Sequence, residues 1–446
     1  MMLDSSTGAE RPHGVSKCQY SRAARFPWSC PGTECKTLTP WKIGNAQNGC
    51  SVPSDARRMK TLVEASVRLP TMPLDVTVVF RVDASTKIGS GHVMRCLTLA
   101  EELAWGGRDC LFVCRATSGD LASAIRARGF VVVSMERAVT APIQRTGSNE
   151  SYEDWLVGGW RQDLDQTLAS LVQVRFQWLI VDHYGIDHRW ETAFRASRPS
   201  VRIACIDDLA DRVHDCDLLL DQNLGRRPHD YAQLVPPGCK ILVGTSYALV
   251  RSEFREARAA SLVRRQTLQR PRRVLINFGG VDSGNVTEDV LDALAHVPGS
   301  HSLRVDIVMG LAAPHLKAVL RAADRSQFDT KVHVDTTRMA YLMTMADVAV
   351  GAGGGTSWER CCLGLPSLVL EIALNQRDVV RQLASHDVAY VVDQTSLVRS
   401  LLTAWKKIQS GERLLEMSKN ASTLVVGNGA SLVAESIIRG TAHETR

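Results

Sequence analysis

Several features that would assign a function quickly are missing from these 446 residues. No stretch approaches the roughly 20 consecutive apolar residues that span a bilayer, so no membrane span is expected. The chain opens Met1-Met2-Leu3-Asp4 without a basic start followed by an apolar run, so a signal peptide is not expected. Among 12 cysteines there is no C-x2-C pair; Cys18, Cys30, Cys35 and Cys50 are separated by 12, 5 and 15 positions, which argues against a zinc-finger spacing. A Walker phosphate loop is absent. The dinucleotide fingerprint fails twice, because its third glycine would fall at Met94 in one candidate turn and at Thr356 in the other. Neither a nicotinamide cofactor nor ATP is implied, and no metal is expected. A basic surface is missing as well: the net charge is +6, but residues 1–70 carry ten Lys/Arg against five Asp/Glu. The remainder is near neutral, so nucleic acid is not an expected partner.

What is present is a soluble α/β pattern. The hydrophobic share is 45% and the charged share 22%, ordinary for a globular protein of two domains. Cys110, Cys114 and Cys205 fall in apolar runs where a reduced thiol acts as a small hydrophobe, which suggests a reducing, cytoplasmic setting. Residues 1–72 show no sustained period and are expected to be a disordered extension, or translation from an upstream start codon. From Asp75 onward, short apolar strands alternate with helices. Strands at Val76–Val82, Cys110–Cys114, Trp178–Val181, Arg202–Ile206 and Leu218–Leu220 alternate with helices such as His92–Trp105. The later strands end in Asp182-His183-Tyr184, Asp207-Asp208 and Asp221. After Arg251 a helical stretch leads to Pro271 and a second alternation. The pattern predicts two doubly wound parallel sheets facing across a cleft, with domains at 73–245 and 246–437.

Two glycine-rich turns occupy matching positions of these halves. Gly89-Ser90-Gly91-His92 opens the first helix, and Gly353-Gly354-Gly355-Thr356-Ser357 opens a helix carrying Glu359. Such helix starts aim N–H groups at anionic oxygens. His92, with Arg81, Asp83 and Arg95 close in sequence, is the candidate general base; a helix start disfavours imidazolium and keeps the ring basic near pH 7. Gly353–Ser357 suit a phosphate and Glu359 a ribose diol. Gly280, Asp282, Asn375 and Gln376 lie on further turns that would reach the sugar or diphosphate. Asp182 and His183 could form a proton relay, with Tyr184 beside them. Cys361 and Cys362 are expected to pack inside their helix.

Taken in order, these motifs resemble a known family. Arg81-x-Asp83-Ala-Ser-x-x-Ile88-Gly89-x-Gly91-His92-x-Met94-Arg95-Cys96 is similar to the opening of the UDP-2,4-diacetamido-2,4,6-trideoxy-β-L-altropyranose hydrolases of pseudaminic acid biosynthesis. Asp182-His183-Tyr184, Asp207-Asp208, Gly279-Gly280-x-Asp282 and Gly351-Ala-Gly353-Gly354-Gly355-Thr356-Ser357-Trp358-Glu359-Arg360-Cys361-Cys362 follow the same pattern, over about residues 74–436. The resemblance implies a GT-B fold similar to the transferase that adds GlcNAc to the peptidoglycan lipid precursor. It implies a UDP-sugar as the small-molecule substrate, cleavage at C1 by water with inversion, and no metal or other cofactor. His92 then matches the general base and Glu359 the ribose contact. Two other readings stay open: an inverting glycosyltransferase with a sugar or lipid acceptor, and a non-catalytic nucleotide-sugar-binding protein.

Overall fold

The computed structural model describes residues 74–136 and 151–441, which belong to one compact unit, Val67–Arg446. The expectations for residues 1–72 lie outside the described residues. The first sheet has seven strands in the order β4-β3-β2-β6-β7-β8-β9. They are β2 (Val78–Val82), β3 (Cys110–Arg115), β4 (Val131–Met135), β6 (Trp178–Asp182), β7 (Arg202–Ile206), β8 (Leu218–Asp221) and β9 (Lys240–Val243). A small pair, β1 (Leu74–Asp75) with β5 (Val174–Arg175), stands apart. The second sheet runs β12-β11-β10-β13-β14-β15, with β10 (Arg273–Asn277), β11 (Arg304–Met309), β12 (Asp329–Val334), β13 (Val348–Ala352), β14 (Ser367–Leu370) and β15 (Ala389–Val391). Every pairing in both sheets is parallel.

Strand composition follows from this arrangement. A parallel sheet is covered on both faces, so its central strands read as continuous apolar runs rather than alternating ones. Val78-Val79-Phe80-Arg81-Val82 is buried at all five positions, with Phe80 stacked on Phe112 at 4.7 Å between ring centroids. One face of the first sheet packs on the helix Gly91–Trp105 through Val93, Cys96, Leu97, Ala100 and Leu103, which recur every three to four residues. Burying each Val or Leu of this stripe is worth about 1.5–3 kcal/mol. The other face carries Trp190 and Phe194 of the helix His188–Ser197.

Strand order also decides where ligands can sit. In the first sheet the chain leaves β2 for β3 and β4, then returns to β6 on the other side of β2. In the second it leaves β10 for β11 and β12 and returns to β13. Each reversal opens a crevice at the carboxyl ends of the two central strands. The crevices fall at Asp83–Gly91 beside Asp182, and at Phe278–Gly280 beside Gly353–Gly355. Gly89 takes φ +83° to close the first turn, a conformation open to glycine without strain. At Gly351 a Cβ would lie 2.5 Å from the Asn277 carbonyl oxygen, so the close approach of β13 to β10 admits only glycine.

The end of the chain does not stay with the second sheet, as the 246–437 boundary expected. The helix Gly429–Thr441 returns to pack on Gly91–Trp105, adding Ala430, Val433, Ala434 and Ile437 to the first core. Its apolar face is completed by a helix more than 300 residues upstream. Residues 411–439 form the longest apolar helical stretch among the described residues, but they are two helices packed into the fold. The first ends at Leu424 and the second begins at Gly429.

Candidate active site

At the first crevice the turn ends in Ser90 and the helix begins at Gly91, so His92 stands in the first helical turn. Asp182 terminates the adjacent strand β6. His92 Nδ1 lies 2.6 Å from Asp182 Oδ1, and Arg95 donates to both oxygens of the same carboxylate, each at 2.7 Å. Arg95 Nη2 also lies 3.3 Å from His92 Nδ1, but both nitrogens donate toward Asp182 Oδ1, so the carboxylate is the shared acceptor. Burial pushes the Asp182 carboxyl up, yet Arg95 and His92 outweigh it and hold it well below the usual carboxylate range. A permanently charged Asp182 keeps the proton on Nδ1 and orients the ring. The ring's hydrogen bonds among the described residues involve Nδ1 alone, which leaves Nε2 to accept a proton.

Arg95 continues this network outward. Its Nη1 donates to both oxygens of Asp208, which accepts from Tyr184 Oη at 2.5 Å. Burial and Asp208 hold the Tyr184 phenol well above its ordinary value, so it remains a donor. Asn375, from the second half, donates to Tyr184 Oη at 3.3 Å and ties the two halves together over the site. Three aromatic rings wall the histidine: Tyr184 at 4.6 Å and Trp155 at 6.1 Å edge-on, with Tyr152 against both. Tyr152 and Trp155 come from a single 3-10 turn and were missed in the sequence. No periodicity marks them; two aromatics flanking Glu153-Asp154 in the polar run Ser151–Trp155 are the only signal.

Other expected ligand residues are turned inward. Arg81 is fully buried, paired with both oxygens of Asp83 and both of Asp163. Burial pushes the Asp83 carboxyl up, but Arg81 and His183 carry it far below the usual range. His183 does not relay to Asp182. It follows the last residue of β6, accepts the Gly185 N–H on Nδ1 and sits 3.5 Å from Asp83 through Nε2. Burial pushes its pKa down and keeps it neutral. These three support the floor beneath His92 and have no open face to a ligand.

The second crevice divides in the same way. Gly353 N–H donates to Gln376 Oε1 and Ser357 N–H to Gly354 O, while Ser357 Oγ is buried and accepts from Arg360. Gln376 therefore braces the turn. The N–H groups of Gly354 and Gly355 have no partner among the described residues, and Thr356 is half-buried beside them. Asp282 spends both oxygens capping the helix Val286–Leu294 at the Val286 and Thr287 N–H groups. Gly280 faces the first turn: a Cβ there would lie 3.2 Å from Ser90 Oγ. Glu359 Oε1 accepts from Arg251 at 2.9 Å, and its Oε2 is buried without a partner. Arg251 was read in the sequence only as the start of a linker.

Two parallel sheets whose switch-point crevices meet across a cleft define the GT-B class. Solved structures of that class superpose on the chain. MurG of Acinetobacter baumannii covers 81% of this chain and 99% of its own, with a TM-score of 0.56 and 15% identity. The calicheamicin glycosyltransferase CalG4 covers 83% and 100%, with a TM-score of 0.54 and 12% identity. In sequence, no protein-family model matches. The chain is 28% identical over 268 residues to the UDP-2,4-diacetamido-2,4,6-trideoxy-β-L-altropyranose hydrolase of Campylobacter jejuni, spanning 60% of this chain and 81% of that protein. It is 31% identical over 206 residues to the spore coat polysaccharide biosynthesis protein SpsG of Bacillus subtilis, spanning 46% of this chain and 57% of that protein. The resemblance read from the glycine turns and strand ends is thus to that hydrolase.

Proposed function

We propose that this chain hydrolyses a UDP-linked 2,4-diacetamido-2,4,6-trideoxy sugar. The observation that carries the reading is the His92–Asp182 pair, with Nε2 unpartnered at one switch point and free glycine amides at the other. Water attacks C1 as Nε2 takes its proton. The C1–O bond breaks with inversion, its electron pair leaves with the UDP β-phosphate, and the products are UDP and the free sugar. Asp182 holds the base in the required tautomer, a positioning role that Arg95 reinforces. The Gly354 and Gly355 N–H groups and the Thr356 hydroxyl face the diphosphate, whose charge grows as the bond breaks, so they favour the transition state over the ground state. Tyr184, Trp155 and Asn375 bound the sugar side. The orphaned Glu359 Oε2 accepts a ribose hydroxyl.

The similarity to the Campylobacter hydrolase supports water as the acceptor. The GT-B transferases support the competing reading, in which a sugar or lipid hydroxyl replaces water. Incubating the full chain with the UDP-linked altropyranose in 18O water, with no other acceptor and with EDTA, separates them. The expected result is UDP release with 18O in the free sugar. Release only after an acceptor is added would assign a transferase, and tight UDP binding with no turnover would assign a binding protein.

Glu359→Ala is expected to weaken UDP binding by about 1–3 kcal/mol, the usual loss when a charged hydrogen-bond acceptor is removed. Calorimetric titration with UDP measures it. Equal affinity would confine Glu359 to its pairing with Arg251.

A further inference from the structure

A second cluster of chemically active side chains lies on the opposite face of the first sheet from the helix that carries His92. Cys205 projects from β7 into the core of Trp190 and Phe194, whereas its neighbours Ala204 and Ile206 face the Gly91–Trp105 side. Against Cys205 stand Glu191 from the helix His188–Ser197 and His214 from the loop before β8. All three are buried, and one donor atom from each lies within 4.8 Å of the other two. Two donors converge on a single oxygen: Cys205 Sγ at 3.1 Å and His214 Nδ1 at 2.8 Å from Glu191 Oε1. The other oxygen, Oε2, accepts the Asp215 N–H at 2.6 Å, which fixes the carboxylate from behind. Two more thiols follow. Cys216 lies in the same core, and Cys239 Sγ lies 3.6 Å from Cys216 Sγ.

We propose that Glu191, Cys205 and His214 form a buried site for a borderline-soft divalent cation of the zinc class. The donor set mixes thiolate, imidazole and carboxylate, the mixture zinc accepts, and all three side chains are buried. With Zn–O and Zn–N bonds of about 2.0 Å and a Zn–S bond of about 2.3 Å, tetrahedral geometry separates O from N by about 3.3 Å and O from S by about 3.5 Å. The present separations fall short by about 0.4–0.5 Å, so small side-chain shifts admit the ion. The protons balance. Cys205 releases one as its thiolate forms, and the imidazole proton moves from Nδ1 to Nε2. His214 Nε2 has no hydrogen-bond partner, so that transfer breaks nothing on the far side of the ring. One thiolate and one carboxylate around a divalent ion, with a neutral imidazole, leave no net charge to bury.

The test uses the full chain with Cys18, Cys30, Cys35 and Cys50 replaced by serine, so that the N-terminal thiols take no part. Reduced protein is loaded with zinc, passed over a desalting column and assayed for metal. About one zinc per chain is expected, falling at least tenfold in Cys205→Ser and His214→Gln. Cobalt loading should give a thiolate-to-metal charge-transfer absorption that those variants lose. Because either variant could fail to fold, zinc X-ray absorption on the parent chain reads the coordination shell directly. A mixed shell of sulfur with nitrogen and oxygen supports the site. A folded chain that retains no zinc, a shell without sulfur, or metal kept in both variants would overturn it. None of these readouts depends on the reaction proposed for the cleft.

Discussion

His92→Ala is expected to lower kcat for UDP release by at least about 10²-fold, the lower end of what a positioned general base contributes. UDP affinity should stay within about twofold, since uniform binding and proton transfer are separable terms. The substitution removes one bond to Asp182 but does not strand that carboxylate, which keeps two bonds from Arg95 and one from the Cys96 thiol. The fold therefore loses only about 0.5–1.5 kcal/mol from that hydrogen bond, plus the edge contact with Tyr184. Steady-state UDP release and calorimetric titration with UDP, measured on the same preparation, separate the two effects. Unchanged kcat would remove His92 as the base. Parallel loss of UDP affinity would mean that His92 holds the nucleotide instead.

Arg81→Met should destabilise the chain by about 3–5 kcal/mol, because removing one partner leaves buried charge uncompensated. Asp83 and Asp163 face Arg81 with almost no solvent contact. After its loss Asp83 keeps the Arg115 N–H, while Asp163 keeps the Arg115 guanidinium and the Trp190 N–H. One cation then remains for two carboxylates. In the native chain burial pushes both carboxyls up, and Arg81 more than reverses it, holding both below their ordinary value. Depressed carboxyls contribute stability that is complete above their unfolded pKa of about 3.9 and is lost as pH falls toward the folded values. The gap between variant and native chain should thus be widest near neutrality and narrow below about pH 4. Urea unfolding at neutral and acid pH checks this. A gap that did not change with pH would place the cost in packing rather than charge.

The strand runs were legible because a parallel sheet buries both faces, and Val78–Val82 and Arg202–Ile206 announce that by composition. The two glycine turns were legible because close backbone approach and positive φ leave few residue choices. Hydrogen-bond partners were not. The sequence pairs Asp182 with His183 by adjacency, but the strand ends between them and they part, one to His92 and the other to Asp83. Arg81 and Asp83, clustered with His92 in the motif, looked like ligand contacts. Asp163, 82 residues downstream of Arg81, draws the guanidinium into the interior.

The sequence by itself determined the class of the fold and the positions of its two ligand-facing turns, since periodicity, β-branching and glycine act over a few residues. Only the tertiary structure decided which side of each turn faces the cleft. Side-chain satisfaction is a three-dimensional condition: Gly353, Ser357, Gln376 and Asp282 meet their hydrogen-bonding needs within the fold, whereas His92 Nε2 and Glu359 Oε2 do not. Those two atoms, both lining the cleft halves, are what the site can offer a ligand.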